Sequence, residues 1–131
     1  MPPAPRGQKR WIEAAERRLG PVVFASLRVR VALDVARASG TLDDPLEDAG
    51  APLLAAAADL LAWLQRAATP EGLEAAVAEL QAAAGVYRNA AVVYPGVPDL
   101  DGESREARTS ACDAMLKQGE HHVEMFRALV A

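Results

Sequence analysis

The side chains best suited to chemistry gather near the carboxyl end of the sequence, where His121 and His122 stand among acids. The neighbouring carboxylates are Asp113, Glu120 and Glu124. Imidazole and carboxylate are the ligands of dinuclear metal sites in helical bundles, but such sites take Glu-x-x-His from each of two helices. Here both histidines share one segment, and Gln118 and Gly119 stand three residues before them. We therefore expect no metal and no other cofactor.

Cys112 and His122 are the second pair that could do chemistry, as a nucleophile and its base. On one helix, ten residues separate their backbones by about 15 Å, which excludes a hydrogen bond between them. Free cysteine is usually a small buried apolar residue, and no nucleophile elbow or phosphate-binding loop occurs. The sequence thus favours a non-catalytic protein without catalytic residues.

His122 is of more interest as a binding residue, because the helical wheel puts it on an apolar arc with Gln118 one turn earlier. The whole arc is Ala107, Ala111, Met115, Gln118, His122, Met125, Phe126 and Leu129. Polar groups on a buried face need partners, and Tyr87 or Tyr94 from the preceding helix could supply one. Two interpretations stay open: a core histidine bonded to another helix, or a ligand pocket formed by His122, Gln118 and Tyr87.

Trp63 is the other unusual residue, because the wheel puts it beside Asp59 and Arg66 on the polar side of its helix. Tryptophan is rarely left fully in water and is enriched at interfaces. The acidic loop 41–50, the N-terminal helix or another subunit could cover it. We expect Trp63 to mark an interface, with a homodimer or another protein partner.

Charge is divided unevenly along the chain, whose net formal charge is −4. Residues 1–40 hold eight basic and three acidic side chains, whereas residues 41–131 hold six basic and fifteen acidic ones. We expect the two groups to pair inside the molecule. The alternative is a nucleic-acid-binding regulator that uses the basic cluster around Lys9, Arg10 and Trp11. Surfaces that bind nucleic acid usually carry more positive charge than this cluster does, so nucleic acid is an unlikely partner.

The segments that would position these residues are helical, since the chain has 29 alanines against six aromatic residues. The predicted helices are 8–19, 21–39, 52–68, 70–93 and 103–130. Gly20 and Pro21 suggest a stop followed by a new start, and Asp101 is a possible N-cap. Thr69-Pro70 indicates either a corner or a kink.

Helix 70–93 has the clearest pattern, an apolar seam at alternating spacings of four and three residues that is typical of bundles. The seam is Leu73, Val77, Leu80, Ala84, Tyr87, Ala91 and Tyr94. We expect the small residues 82–85 to let another helix approach closely.

Together these patterns predict an all-α fold, an antiparallel helical bundle of four main helices plus a short N-terminal helix. Residues 1–7 are expected to form a flexible N-terminal tail, and residues 8–131 a single helical-bundle domain. Because no targeting signal and no apolar run of about 20 residues is seen, we expect a cytoplasmic protein without membrane contacts. The predicted function is self-association or protein binding, with small-molecule binding at His122, Gln118 and Tyr87 as the alternative.

Overall fold

The computed structural model describes residues 6–39, 48–96 and 101–131. All regular secondary structure within these ranges is helical, which confirms the predicted all-α class. The four helices are α1 (Arg6–Ser39), α2 (Gly50–Arg66), α3 (Glu74–Val92) and α4 (Gly102–Val130). Most of the predicted tail and of the loop 41–50 lies outside the described residues.

The predicted break at Gly20 and Pro21 is wrong, because α1 runs through both residues as one helix of 34 residues. A proline inside a helix removes the hydrogen bond to the carbonyl four residues earlier, here that of Arg17. Gly20, Pro21 and Arg17 are all exposed, so water can hydrate that carbonyl. The short N-terminal helix is therefore the first part of α1, and it begins at Arg6, before the predicted start.

The joint at Thr69-Pro70 is a corner. Residues 67–73 leave the helix, and the Leu73 amide donates to the Pro70 carbonyl at 3.1 Å, closing a four-residue turn. Gly72, the third residue of that turn, has a φ of 89°, a conformation that side chains rarely adopt and that type II turns require. For this reason α3 starts at Glu74, four residues later than predicted.

The N-terminus of α4 follows the prediction closely. Asp101 caps the helix, its Oδ1 accepting a hydrogen bond of 2.6 Å from the Ser104 amide. The Glu103 carboxylate in the first turn also suits the positive end of the helix dipole.

Every helix contributes to one apolar core. Its largest fully buried side chains are Leu19, Leu33, Leu53, Leu60, Leu80, Tyr87, Leu116 and Phe126. The predicted seam of α3 is buried at six of its seven positions, and Ala91 is half-buried. Ala83 and Ala84 are completely buried as well, in agreement with a close helix approach at the small-residue patch.

The buried face of α4 differs from the predicted one by about 110° on the helical wheel. It consists of Thr109, Cys112, Leu116, Gly119, Val123 and Phe126. The glycine on this face lets α4 pack closely on α3, because a Cβ at Gly119 would lie 2.6 Å from Cζ of Tyr87. Of the predicted arc only Phe126 is buried, whereas Met125 and Leu129 are largely exposed.

Candidate functional site

Trp63 is covered from within the chain, by α1. Its ring lies 5.5 Å from that of Trp11, and the guanidinium carbon of Arg18 lies 5.4 Å from its ring centroid. Arg18 also forms an ion pair with Asp59 at 3.2 Å. Of the alternatives open from the sequence, the N-terminal helix is therefore the cover for this tryptophan, which stays half-buried.

His122 is bonded to a neighbouring helix, as one interpretation required. Its Nδ1 lies 2.7 Å from Oε2 of Glu79 on α3. The imidazole is half-buried, with 22% of its side chain exposed, and Gln118 is exposed. The partner of His122 is thus a carboxylate at the edge of the bundle.

Neither His122 nor Gln118 lines the groove in which Tyr87 lies. Glu79, which holds His122, is eight residues before Tyr87 and therefore about 12 Å away along α3. Binding of a ligand by His122, Gln118 and Tyr87 stays a prediction.

The groove that Tyr87 lines has a volume of about 230 Å³ and lies between α1 and α4. The other lining residues are Val23, Ser26, Leu27, Glu120, Val123, Glu124 and Arg127. Burial raises the pKa of the Tyr87 phenol above its ordinary value, and the hydrogen bond with Ser26 offsets only part of this effect. The walls of the groove therefore present two hydroxyl groups, several charged groups and apolar side chains.

The groove lies where α1 and α4 make few close contacts. Ion pairs between long side chains connect the two helices here. Three ion pairs run along this seam: Glu16 with Arg127 at 3.6 Å, Arg30 with Glu120 at 2.9 Å, and Arg37 with Asp113 at 3.5 Å. Arg30 and Arg37, like Arg18 with Asp59, thus pair with acids of the later helices, as the charge division suggested. The Glu16–Arg127 pair has the opposite polarity.

A larger cavity of about 410 Å³ lies between the end of α1 and the start of α4. Arg37, Arg105 and Glu106 are among its walls. The chain continues from these helix ends into residues 40–47 and 97–100, outside the described ranges.

The most distinctive surface is the outward side of α1, which the sequence analysis missed. Phe24, Leu27, Val31 and Val35 are 65%, 51%, 58% and 37% exposed. At about 100° per residue they fall within an arc of about 80°, opposite the buried side of the same helix. We call these four residues the outer stripe. Their spacing of three and four residues can be seen in the sequence. The spacing does not show which of the two apolar faces of α1 points to the core.

Several basic side chains of α1 have no ion-pair partner among the described residues. Lys9, Arg10, Arg17 and Arg28 are exposed, and none of them contacts an acid within 4.0 Å. Trp11, the aromatic member of the predicted nucleic-acid cluster, is only 7% exposed. It packs against Trp63 and Phe126, and so offers no free ring for base stacking.

The described ranges hold neither a cluster of metal-ligating side chains nor a membrane-spanning helix. No group of three or more histidine, cysteine, aspartate or glutamate side chains there is arranged to hold a metal ion. Among the described helices, none combines the length and the apolar character needed to cross a membrane.

Comparison of the chain with protein-family models, with curated proteins and with solved structures found no match.

Proposed function

We propose that this protein is a non-catalytic helical module that self-associates through the outer stripe of α1. The observation that carries the proposal is that α1 has two apolar faces, of which the bundle covers one. A contiguous apolar surface bordered by polar residues is typical of interaction sites. This replaces Trp63 with the outer stripe as the main contact, since α1 already covers Trp63.

The helices are proposed to form an antiparallel bundle, and the order of their contacts supports this. Along α1, Glu16, Arg30 and Arg37 pair with Arg127, Glu120 and Asp113, in descending order along α4. Along α3, Glu79 contacts His122, whereas Ala90 contacts Cys112. In such a bundle the outward side of α1 has no neighbouring helix among the described residues.

Sedimentation velocity over a range of protein concentrations tests self-association. The wild type is expected to show a dimer that grows with concentration, and Phe24→Ser to lower the dimer fraction strongly, because Phe24 has the largest exposed ring of the stripe. Val92→Ser is the matched control: Val92 is 63% exposed but lies at the end of α3. A wild type that stays monomeric at high concentration contradicts the proposal.

Small-molecule binding is the second candidate, and the groove at Tyr87 favours it. Glu124 has no ion-pair partner among the described residues, and Val23, Leu27 and Val123 supply apolar walls. This combination suits a small arylalkylamine, whose ammonium would pair with the carboxylate. Phenethylamine is expected to raise the melting temperature of the wild type, and Ser26→Ala to reduce that rise. No shift in the wild type would remove this candidate.

We also propose that the protein is cytoplasmic and binds nucleic acid only weakly. The burial of Trp11 removes its ring from base stacking, and ion pairs within the chain neutralise Arg18, Arg30 and Arg37. Tight duplex binding that falls steeply with added salt would favour the regulator alternative.

A further inference from the structure

The two sides of the outer stripe carry opposite free charges. Arg28 lies about 60° to one side of the centre of the stripe on the helical wheel, and it has no ion-pair partner among the described residues. On the other side lies α4, where Glu124 lines the groove together with Val23 and Leu27. Glu124 is exposed and is likewise without an ion pair within the described ranges.

We propose that two copies of this chain pack through their α1 helices in parallel, about a two-fold axis along the helices, with Arg28 of each copy against Glu124 of the other. This proposal rests on the proposed self-association. A two-fold axis parallel to α1 keeps every residue at its own height and brings the left side of one helix to the right side of its partner. The basic side of each stripe therefore meets the acidic side of the other.

The heights of the two groups agree with this pairing. Glu124 lies beside Val23 and Leu27, and Arg28 is the residue after Leu27, displaced by about 1.5 Å along the helix. The long side chains of arginine and glutamate can span the remaining gap across a helix pair, whose axes are 8–10 Å apart in typical packing.

The antiparallel alternative is electrostatically unfavourable. The stripe from Phe24 to Val35 has its midpoint near residue 30, so reversing one helix places position 28 opposite position 31. Like sides of the stripe then face each other, and the two Arg28 guanidinium groups would come within about 5 Å along the axis. Like charges at that distance repel.

The size of the surface explains why these charges matter. From Phe24 to Val35 the stripe spans about 17 Å, which places a simple α1–α1 contact at the small end of stable interfaces. An interface of this size dissociates readily, so a pair of flanking charges repeated by symmetry changes its dissociation constant measurably.

Charge reversal in sedimentation experiments tests the pairing. Arg28→Glu and Glu124→Lys are each expected to raise the dimer dissociation constant by about tenfold, and an equimolar mixture of the two variants to dimerise more strongly than either alone. Arg10→Glu is the matched control, since Arg10 is an exposed, unpaired arginine that precedes the stripe by about 21 Å. If neither reversal changes the wild-type dimer, or if mixing restores nothing, the parallel pairing is wrong while self-association stands.

Disulfide cross-linking of variants with one introduced cysteine tests whether the two α1 helices run parallel. Val35→Cys is expected to form an oxidised dimer in high yield, because the two-fold axis brings both copies of residue 35 together, whereas the antiparallel arrangement would separate them by about 17 Å along the axis. Ala78→Cys on exposed α3 surface is the control. A cross-link from Ala78→Cys but not from Val35→Cys overturns the proposal. A wild type that is monomeric in solution yet binds anionic phospholipid vesicles through Arg28 overturns both this pairing and the proposed function.

Discussion

His122 and Glu79 join α4 to α3 through a hydrogen bond of 2.7 Å between Nδ1 and Oε2. Both side chains are half-buried, at 22% and 28% exposure, so water only partly screens their interaction. The bond lies at the end of the bundle near the start of α3, where the buried face of α3 is made of Ala76 and Val77. It adds a charged side chain to a helix pair whose buried faces are mainly apolar.

We expect His122→Ala to lower the free energy of unfolding by about 1 kcal/mol, because it leaves the Glu79 carboxylate without its partner. His121→Ala is the control, since His121 is exposed and bonds to no other helix. Denaturant unfolding of both variants, and of Glu79→Ala with the double variant, gives the coupling energy. Equal losses from the two histidines would show that the bond contributes nothing.

Two helical glycines are expected to respond oppositely to alanine. A Cβ at Gly119 would lie 2.6 Å from the fully buried ring of Tyr87, and overpacking of this kind costs about 1–3 kcal/mol. At Gly85 a Cβ meets nothing within 4 Å, so Gly85→Ala should stabilise α3 by about 0.5–1 kcal/mol. Chemical denaturation of both variants checks the signs. A stable Gly119→Ala protein would mean that α3 and α4 can move apart without penalty.

Cys112 is expected to resist thiol reagents in the native protein. Its side chain is fully buried, Sγ donates to the Ala90 carbonyl at 3.4 Å, and burial raises the pKa of the thiol to about 12. The reactive thiolate is therefore scarce near neutral pH. Titration with Ellman's reagent should be slow until a denaturant is added. Rapid labelling in native buffer would contradict the packing of α3 against α4.

The Asp101 cap should make the start of α4 sensitive to acid. The hydrogen bond from the Ser104 amide lowers the pKa of Asp101 below its ordinary value. A carboxylate with a lowered pKa stabilises the fold above its unfolded value of about 3.9, and this contribution is lost as the pH falls through the folded value. Asp101→Asn keeps the capping oxygen and removes this titration, so the difference in melting temperature between wild type and variant should shrink or reverse below about pH 4. Asp101→Ala, which loses the cap, should melt lower than Asp101→Asn at pH 7.

How far the sequence predicts this fold is seen best in α3 and α4. The seam of α3 follows from its apolar spacing, and the start of α4 from Asp101, because both signals are local. The face of α4 was misjudged because Met125 and Leu129 are more apolar than Gly119 and Thr109. The face of α4 that is buried depends on how closely α3 approaches it. This distance is set by both helices together, so it cannot be predicted from the sequence of α4 alone.

The candidate site shows the same limit. A bonded His122 followed from its type and position, but its partner Glu79 did not, since the rotation of α4 decides which residues face each other. The stop at Gly20-Pro21 failed because the core on the other side of α1 holds the helix together: Leu19 and Val22 are both completely buried. Because the two predicted helices are one, the outer stripe lies on a single helix of 34 residues.

The length of α1 has a consequence for the order in which the molecule assembles. The connection from α2 to α3 is a short turn, so these helices can pair while little chain entropy is lost. The aromatic contact of Trp11 with Phe126 and the ion pair of Glu16 with Arg127 join the two ends of the chain, and such distant contacts form slowly. We therefore expect docking of α1 to be a late step of folding, and until it occurs both of its apolar faces would be open to solvent and to other copies of the newly made chain.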